Sequence, residues 1–374
     1  MLYYICRMAN FFSRLLNRET PSILGIDVGS SSIKIVQIKR QNGRAILETY
    51  GELALGPYAG GSIGEPTNLP VEKIIEALLD LLREKEVKIS TNVCGIAVPF
   101  SSSLVTAIEM PMVPMKQLAQ MVPIEARKYI PVPISEVTLD WSVIPQTKSP
   151  EASDDAKGVQ RLEVLLVALH NSTVERYKEI VTKSGLDASF FEIEIFSTMR
   201  SVLDQEPDPV MIVDMGATST KLYVVERGVL RGSHTINRGS QSITTTLSKS
   251  LGISLAEAEI MKREKGLLGE VDGIDIKSVI TVTLDYVFSE ANQVVLAYQK
   301  KYNRNVGKIV LVGGGSALKG LVDVAKNNFQ TMVVGGDPFS KVVAPAFLEQ
   351  ILRETGPEFA VSVGVALRRL QELD

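Results

Sequence analysis

One short pattern occurs twice in this chain, the second copy half a chain length after the first. The first reads Ile26-Asp27-Val28-Gly29-Ser30-Ser31-Ser32-Ile33-Lys34, the second Val213-Asp214-Met215-Gly216-Ala217-Thr218-Ser219-Thr220-Lys221. Each runs Asp, any residue, Gly, two small residues, Ser, any residue, Lys. A repeat at that spacing predicts two related lobes, each carrying one copy. Apolar residues lead into each copy (Ile23, Leu24, Ile26; Val210 to Val213) and follow it (Ile33, Ile35, Ile38; Leu222 to Val225). Bounded apolar runs broken by Gly and hydroxyl residues read as strand, tight turn, strand.

The turn chemistry suits phosphate. Glycine lets the backbone come close to a ligand, and successive N–H groups there make an anion nest. An Asp ending the first strand points at the same place and needs a cation between itself and a polyphosphate. Mg²⁺ held through water fits that need. The reading is two phosphate clamps, Gly29 to Ser32 with Lys34 and Gly216 to Ser219, with Asp27 and Asp214 on the metal side. Lys221 reads as a solvated strand residue. A single such turn is equally a plain hairpin; the matched duplication favours the clamps. A third element, Lys308 to Gly320, reads as a strand, the glycines Gly313, Gly314 and Gly315, then Ser316 and a helix start. Bare glycine backbone lets a flat ring or sugar-phosphate lie against it.

Other features exclude whole classes. A formal charge of −3 leaves no basic excess for nucleic acid. Cys6 and Cys94 have no metal-ligand spacing, and His170 and His234 are the only histidines. Disulfide frameworks, cysteine zinc sites and histidine triads are therefore not expected. Residues 1–22 are too short and too charged to span a bilayer. They read as a tail, or as a short amphipathic helix with Phe11, Phe12, Leu15 and Leu16 on one face.

Between the clamps lies a unit of different character, residues 100–187. It reads as strands over 104–110, 137–144 and 162–169, helices over 115–130 and 172–184, and a polar loop over 146–160. Pro123 should kink the first helix, at about 3 kcal/mol if unrelieved. The first lobe is assigned to 23–99 and 188–224, the second (2A/2B) to 225–340, and a packing-back segment to 341–374. A hairpin turn is expected over 228–232, and a helix over 357–370 with Gly364 as a close-packing site.

Two D-x-G turns plus a late strand–Gly-Gly-Gly–helix resemble the actin-like ATPase superfamily, which includes actin, the DnaK-type chaperones, sugar and acetate kinases, MreB and FtsA. The resemblance implies an α/β, two-lobed actin-like fold with ribonuclease H-like lobes, and ATP with Mg²⁺ between them. Glu109-Met110-Pro111, the string Glu125-Ala126-Arg127-Lys128-Tyr129-Ile130-Pro131-Val132-Pro133, Leu139-Asp140, Gly335 to Phe339 and Ala360 to Leu367 are similar to the PilM family of type IV pilus assembly. The unit at 100–187 then corresponds to an inserted FtsA-type 1C subdomain. Carried over, the resemblance implies that Glu259 and Lys262 hold ribose and base and that Gly313 to Ser316, with Lys319, form the adenosine loop. Glu194 falls where relatives place a water-orienting Glu before a proline, here Ile195, and is the candidate catalytic group.

The implied function is an ATP-binding cytoplasmic scaffold at the inner face of the inner membrane, with weak or no hydrolysis. It would join the cytoplasmic N-terminal peptide of a PilN-like protein to the pilus motor ATPase or its platform, as a monomer or a homo-oligomeric ring or filament. A small-molecule phosphotransferase is an alternative, though no sugar motif is recognisable. An FtsA-like membrane filament is another, though the ending Arg368-Arg369-Leu370-Gln371-Glu372-Leu373-Asp374 is not an amphipathic membrane helix. A type II secretion relative is also compatible.

Overall fold

The computed structural model describes residues 22–144, 161–204, 206–271 and 274–371. The tail before Ser22 and the polar loop at 146–160 lie outside the described residues. Strands β1 (Ser22–Val28), β2 (Ser32–Gln41) and β3 (Arg44–Ala54) form an antiparallel meander. Helix α1 (Val71–Arg83) returns the chain to β4 (Val93–Val98), parallel to β1. Ile74, Ile75, Leu78 and Leu81 recur at helical spacing in α1 and are buried together, which fixes its inner face.

The chain then leaves this sheet for the insert. Strand β5 (Ser103–Pro111), helix α2 (Met115–Ala126) and strands β6 (Val137–Val143) and β7 (Arg161–His170) make an antiparallel sheet of order β5-β7-β6. Leu118, Val122 and Ala126 of α2 cover Ile108, Met110, Val164 and Leu166. The helix passes through Pro123 but stops at Ala126 rather than Ile130; the next turn is closed by tighter bonds, Lys128 N–H to Glu125 O and Tyr129 N–H to Ala126 O, both 3.0 Å, ahead of Pro131. The other sheet face, with Leu165, Val167 and Leu169, is half-buried against the main core.

Helix α3 (Asn171–Lys183), expected inside the insert, instead buries Tyr177, Ile180 and Val181 in the first lobe's core. The inner face of the insert's sheet is already covered by α2, so the apolar face of α3 finds its partners on the first lobe. Strand β8 (Asp187–Ile193) completes the order β3-β2-β1-β4-β8 and runs into α4 (Glu194–Val202).

The second lobe repeats the first. Strands β9 (Val210–Met215), β10 (Thr220–Glu226) and β11 (Val229–Ile236) form the meander. Helices α5 (Ser240–Leu251) and α6 (Leu255–Lys265), the ribbon β12 (Glu270–Val271) and β13 (Ile274–Asp275), and the long α7 (Ile276–Tyr302) follow. Then come β14 (Lys308–Val312), α8 (Leu321–Asn328) and β15 (Met332–Gly335). The order is β11-β10-β9-β14-β15, with the strand directions of the first sheet. Strands β9 and β10 thus belong to the second lobe, and the boundary drawn at 224 moves back before Val210. The β10–β11 turn is the pair Arg227-Gly228, with φ of 51° and 76°. That is tighter than the turn expected over 228–232, as a two-residue hairpin needs.

Helices α9 (Glu349–Thr355) and α10 (Ala360–Gln371) return to the first lobe. There α10 buries Val363 and Ala366 against Ile23, Val36 and Ile38. A Cβ on Gly364 would stand 1.9 Å from the Ser197 carbonyl oxygen, so only glycine lets α10 meet α4 so closely. Among the described residues, no helix is long and apolar enough to cross a membrane.

Candidate functional site

The repeated pattern becomes two copies of one hairpin. Asp27 stands opposite Lys34 across β1 and β2, and Asp214 opposite Lys221 across β9 and β10. The Asp-to-Lys spacing of the motif is therefore a cross-strand register. Each turn is closed by the same bond, Gly29 N–H to Ser32 O and Gly216 N–H to Ser219 O, both 3.0 Å.

Both turns face one cavity between the lobes, of about 310 Å³, within the range of small-molecule sites. It brings together Asp27, Gly29 to Ser32, Lys34, Asp214, Gly216 to Ser219, Glu194, Glu259, Lys262 and Gly313 to Gly315. Ser316 and Lys319 stay outside the lining. The Ser316 hydroxyl donates back to Gly313 O at 2.7 Å, and exposed Lys319 reaches Glu264 O at 2.9 Å. The glycines form a tight turn, with Gly314–Ala317 as a 3-10 segment, and the helix waits until Leu321. Gly313 has φ of +83°, and a Cβ there would lie 2.5 Å from Asp214 Oδ1. Only glycine lets this loop approach the aspartate.

Lys221 is not solvated. Its Nζ lies 2.8 Å from Glu194 Oε2 and 3.7 Å from Asp214 Oδ2. Burial favours the neutral amine, but the Glu194 and Asp214 carboxylates outweigh it and hold Lys221 protonated. Glu194 opens α4, and its Oε1 accepts the Phe100 N–H at 2.6 Å. Both carboxylate oxygens are thus engaged. Burial, then the nearby Glu194 charge, pushes the Asp27 carboxyl up to about 7. Burial also raises Asp214, with Lys221 pulling against it. Among the described residues, no three Asp, Glu, His or Cys side chains converge to hold a metal by themselves. Two aspartates flanking a phosphate-lined cleft suit Mg²⁺, which keeps several waters and takes one or two carboxylates plus phosphate oxygens.

Opposite, α6 is started by a Ser254–Glu257 capping box. One turn on, Glu259 takes Lys262 at 2.6 Å, Arg263 at 2.8 Å and the Thr244 hydroxyl at 2.7 Å. Burial pushes the Glu259 carboxyl up, but these partners, Lys262 foremost, outweigh it and hold it low. Burial pushes Lys262 down. The lobes meet where a Cβ on Gly64, at φ of +84°, would fall 2.6 Å from Glu259 Oε1. Glu52, Thr198, Lys221, Ser240, Arg263 and Glu358 are polar members of the lining that the sequence motifs do not assign to the site. Lys221 was legible as the cross-strand partner of Asp214. Glu52 pairs with Lys34 at 2.8 Å, but a bulge at Gln37/Ile38 shifts the β2–β3 register by one and hides it from counting back from the Asn42-Gly43 turn.

Two lobes of one repeated topology, with paired D-x-G turns and a glycine loop around the cleft between them, define the actin-like ATPase fold. MreB5 of Spiroplasma citri bound to AMPPNP shares that fold, with a TM-score of 0.50 and 13% identity, covering 95% of this chain and 98% of that one. The profile of the family described as type IV pilus assembly protein PilM matches residues 25–370, and the chain belongs to that family. The solved PilM–PilN type IV pilus biogenesis complex superposes with a TM-score of 0.76 at 22% identity, covering 93% of this chain and 98% of that one. Cell division protein FtsA of Enterococcus hirae is 22% identical over 356 residues, 83% of this chain and 77% of FtsA.

Proposed function

We propose that the chain is a nucleotide-dependent docking component of type IV pilus assembly. ATP lies in the interlobe cleft, its phosphates on Gly29 to Ser32 and Gly216 to Ser219 with Lys34. Its adenosine lies between Gly313 to Gly315 and the Glu259–Lys262 turn. Mg²⁺ sits by Asp27 and Asp214 through water. The observation that carries this reading is the pair of identically closed turns facing a single cavity, with the glycine loop on its third side.

Hydrolysis is slow or absent. A general base must be open to the proton it takes, whereas Glu194 is held by a backbone N–H and by Lys221. Its role is positioning. Closure on ATP shifts the population of lobe arrangements by differential affinity. The partner is the extended cytoplasmic N-terminal peptide of a PilN-like membrane protein, through which the chain sits at the inner membrane and is linked to the motor or its platform. An extended peptide needs a groove or sheet edge, and the seam between the first lobe and the inserted unit is the place for it.

Calorimetry of ATP·Mg²⁺ binding, with and without such a peptide, tests the reading on the parent and on Asp27→Ala with Asp214→Ala. Binding that is lost in the variant, with peptide affinity altered by ATP, is expected. A parent that binds no ATP would leave only a docking platform on an actin-like fold.

A further inference from the structure

The insert is gripped by both lobes, and through different kinds of contact. We propose that it is a lever: Glu194 is its pivot on the first lobe, Arg231 its drive from the second, and closure of the lobes re-aims it. The proposal rests on the nucleotide reading above and adds how the cleft reaches the insert.

The pivot lies where the chain leaves β4. After Val98 comes a 3-10 turn, Phe100–Ser102, and then β5. The Phe100 N–H donates to Glu194 Oε1 at 2.6 Å, and Ser103 Oγ donates to Phe100 O at 2.8 Å. The other oxygen of Glu194 takes Lys221, which stands opposite Asp214 in the second phosphate turn. One carboxylate therefore touches both the nucleotide cleft and the root of the insert.

The drive lies on the flank. Strand β11, the outer strand of the second sheet, passes beside β5. From it, Arg231 Nη1 donates to Glu163 Oε2 on β7 at 2.6 Å. Arg231 belongs firmly to the second lobe. Its Nε lies 3.2 Å from Glu226 Oε2, and its guanidinium sits 5.8 Å from the Tyr302 ring centre. Glu226 is anchored in turn by Arg304 and, at 3.1 Å, by the Tyr298 hydroxyl. Glu163 shares a strand face with Leu165 and Val167, which are only half-buried.

The insert has a core of its own under α2, so it moves as one piece. A rigid piece pinned at its root and held on its flank by a charge-assisted bond turns when the flank is moved. The half-buried seam beneath it can slide at less cost than a packed core.

The test uses the full chain in a Cys6→Ser background, where Cys94 is buried. Spin labels at Lys85 and Lys326, both exposed, report the lobes. Labels at Lys85 and Lys128, the latter on the insert and also exposed, report the lever. Pulsed dipolar distances are taken with and without AMPPNP·Mg²⁺. Both pairs are expected to shift in the parent. In Glu163→Lys, which repels Arg231, the lobe pair still shifts and the insert pair no longer does. Glu163→Gln keeps the shape of the side chain, guards against misfolding, and is expected to reduce the insert shift. An insert pair that is static in the parent while the lobes move, or that shifts fully in both variants, overturns the lever and leaves the nucleotide reading intact. A lobe pair that does not respond to nucleotide overturns both.

Discussion

Lys221→Met replaces an ammonium with an apolar group of similar length, and its cost measures how far the cleft depends on that one cation. The Lys221 side chain is 17% exposed and lies 2.8 Å from Glu194. Without it, Asp27, Asp214 and Glu194 face one another with Lys34 as the remaining nearby ammonium, and Lys34 is already paired with Glu52. Removing one partner of a buried ion pair costs about 3–5 kcal/mol. One side of this site opens to the cleft, so about 2–4 kcal/mol is expected. At an m-value of about 3 kcal/mol/M the urea midpoint falls by about 1 M. The loss should shrink in acid. Burial already raises Asp27 and Asp214, and removing the cation raises them further. A folded-state pKa above the unfolded one gives stability that is present at low pH and lost as pH rises. Adding Glu194→Gln should recover part of the loss, with a coupling of about 1–3 kcal/mol. A midpoint within about 0.2 M of the parent at neutral pH, as expected of an exposed lysine, would refute the reasoning. So would a loss that is equal at both pH values.

Gly364→Ala drives a methyl into the Ser197 carbonyl and should cost at least about 3 kcal/mol, read as a lower melting temperature; an unchanged melt would mean α10 does not cross α4 so closely. Without nucleotide, Asp27, raised from 3.8 to about 7, gives stability that is full below the lower value and is lost as pH rises through the upper one. Asp27→Asn should therefore flatten that part of a urea-stability profile against pH, and parallel profiles would contradict the assignment. Gly313→Ala places a Cβ 2.5 Å from Asp214 Oδ1 at a positive φ. It should weaken ATP·Mg²⁺ binding by more than about tenfold, or about 1.4 kcal/mol, with calorimetry as the check.

The fold was legible because its controlling signal is local and occurs twice. A short turn motif between apolar runs needs no long-range knowledge, and its recurrence carries the two-lobed layout and the two turns that face the cleft. What stayed hidden depends on pairings between distant segments. Lys221 reads as solvated in the sequence because Glu194, its partner, comes from the start of α4, a separate segment. Glu52 was masked by one bulge, which moves every later cross-strand pair by a residue. The membership of α3 could not be read from its own amphipathic face, because a helix does not announce which sheet will cover it. The boundary at 224 failed for a similar reason, since the second phosphate turn belongs to the sheet it helps to build.

The close seat of α10 on β1 bears on how this protein is made. Strand β1 is made well before the segment that covers it, since Gly25 fits against Ser362 and Ala366, far downstream in the chain. At elongation rates of order 5–20 residues per second, the two are separated by roughly tens of seconds. Until α10 is made, the nascent first lobe therefore shows Ile23, Val36 and Ile38 without their cover, while the second lobe can close its sheet from contiguous sequence. A holding chaperone would meet the former and not the latter. Arrival of α10, rather than collapse of the early chain, is the step that seals the first lobe.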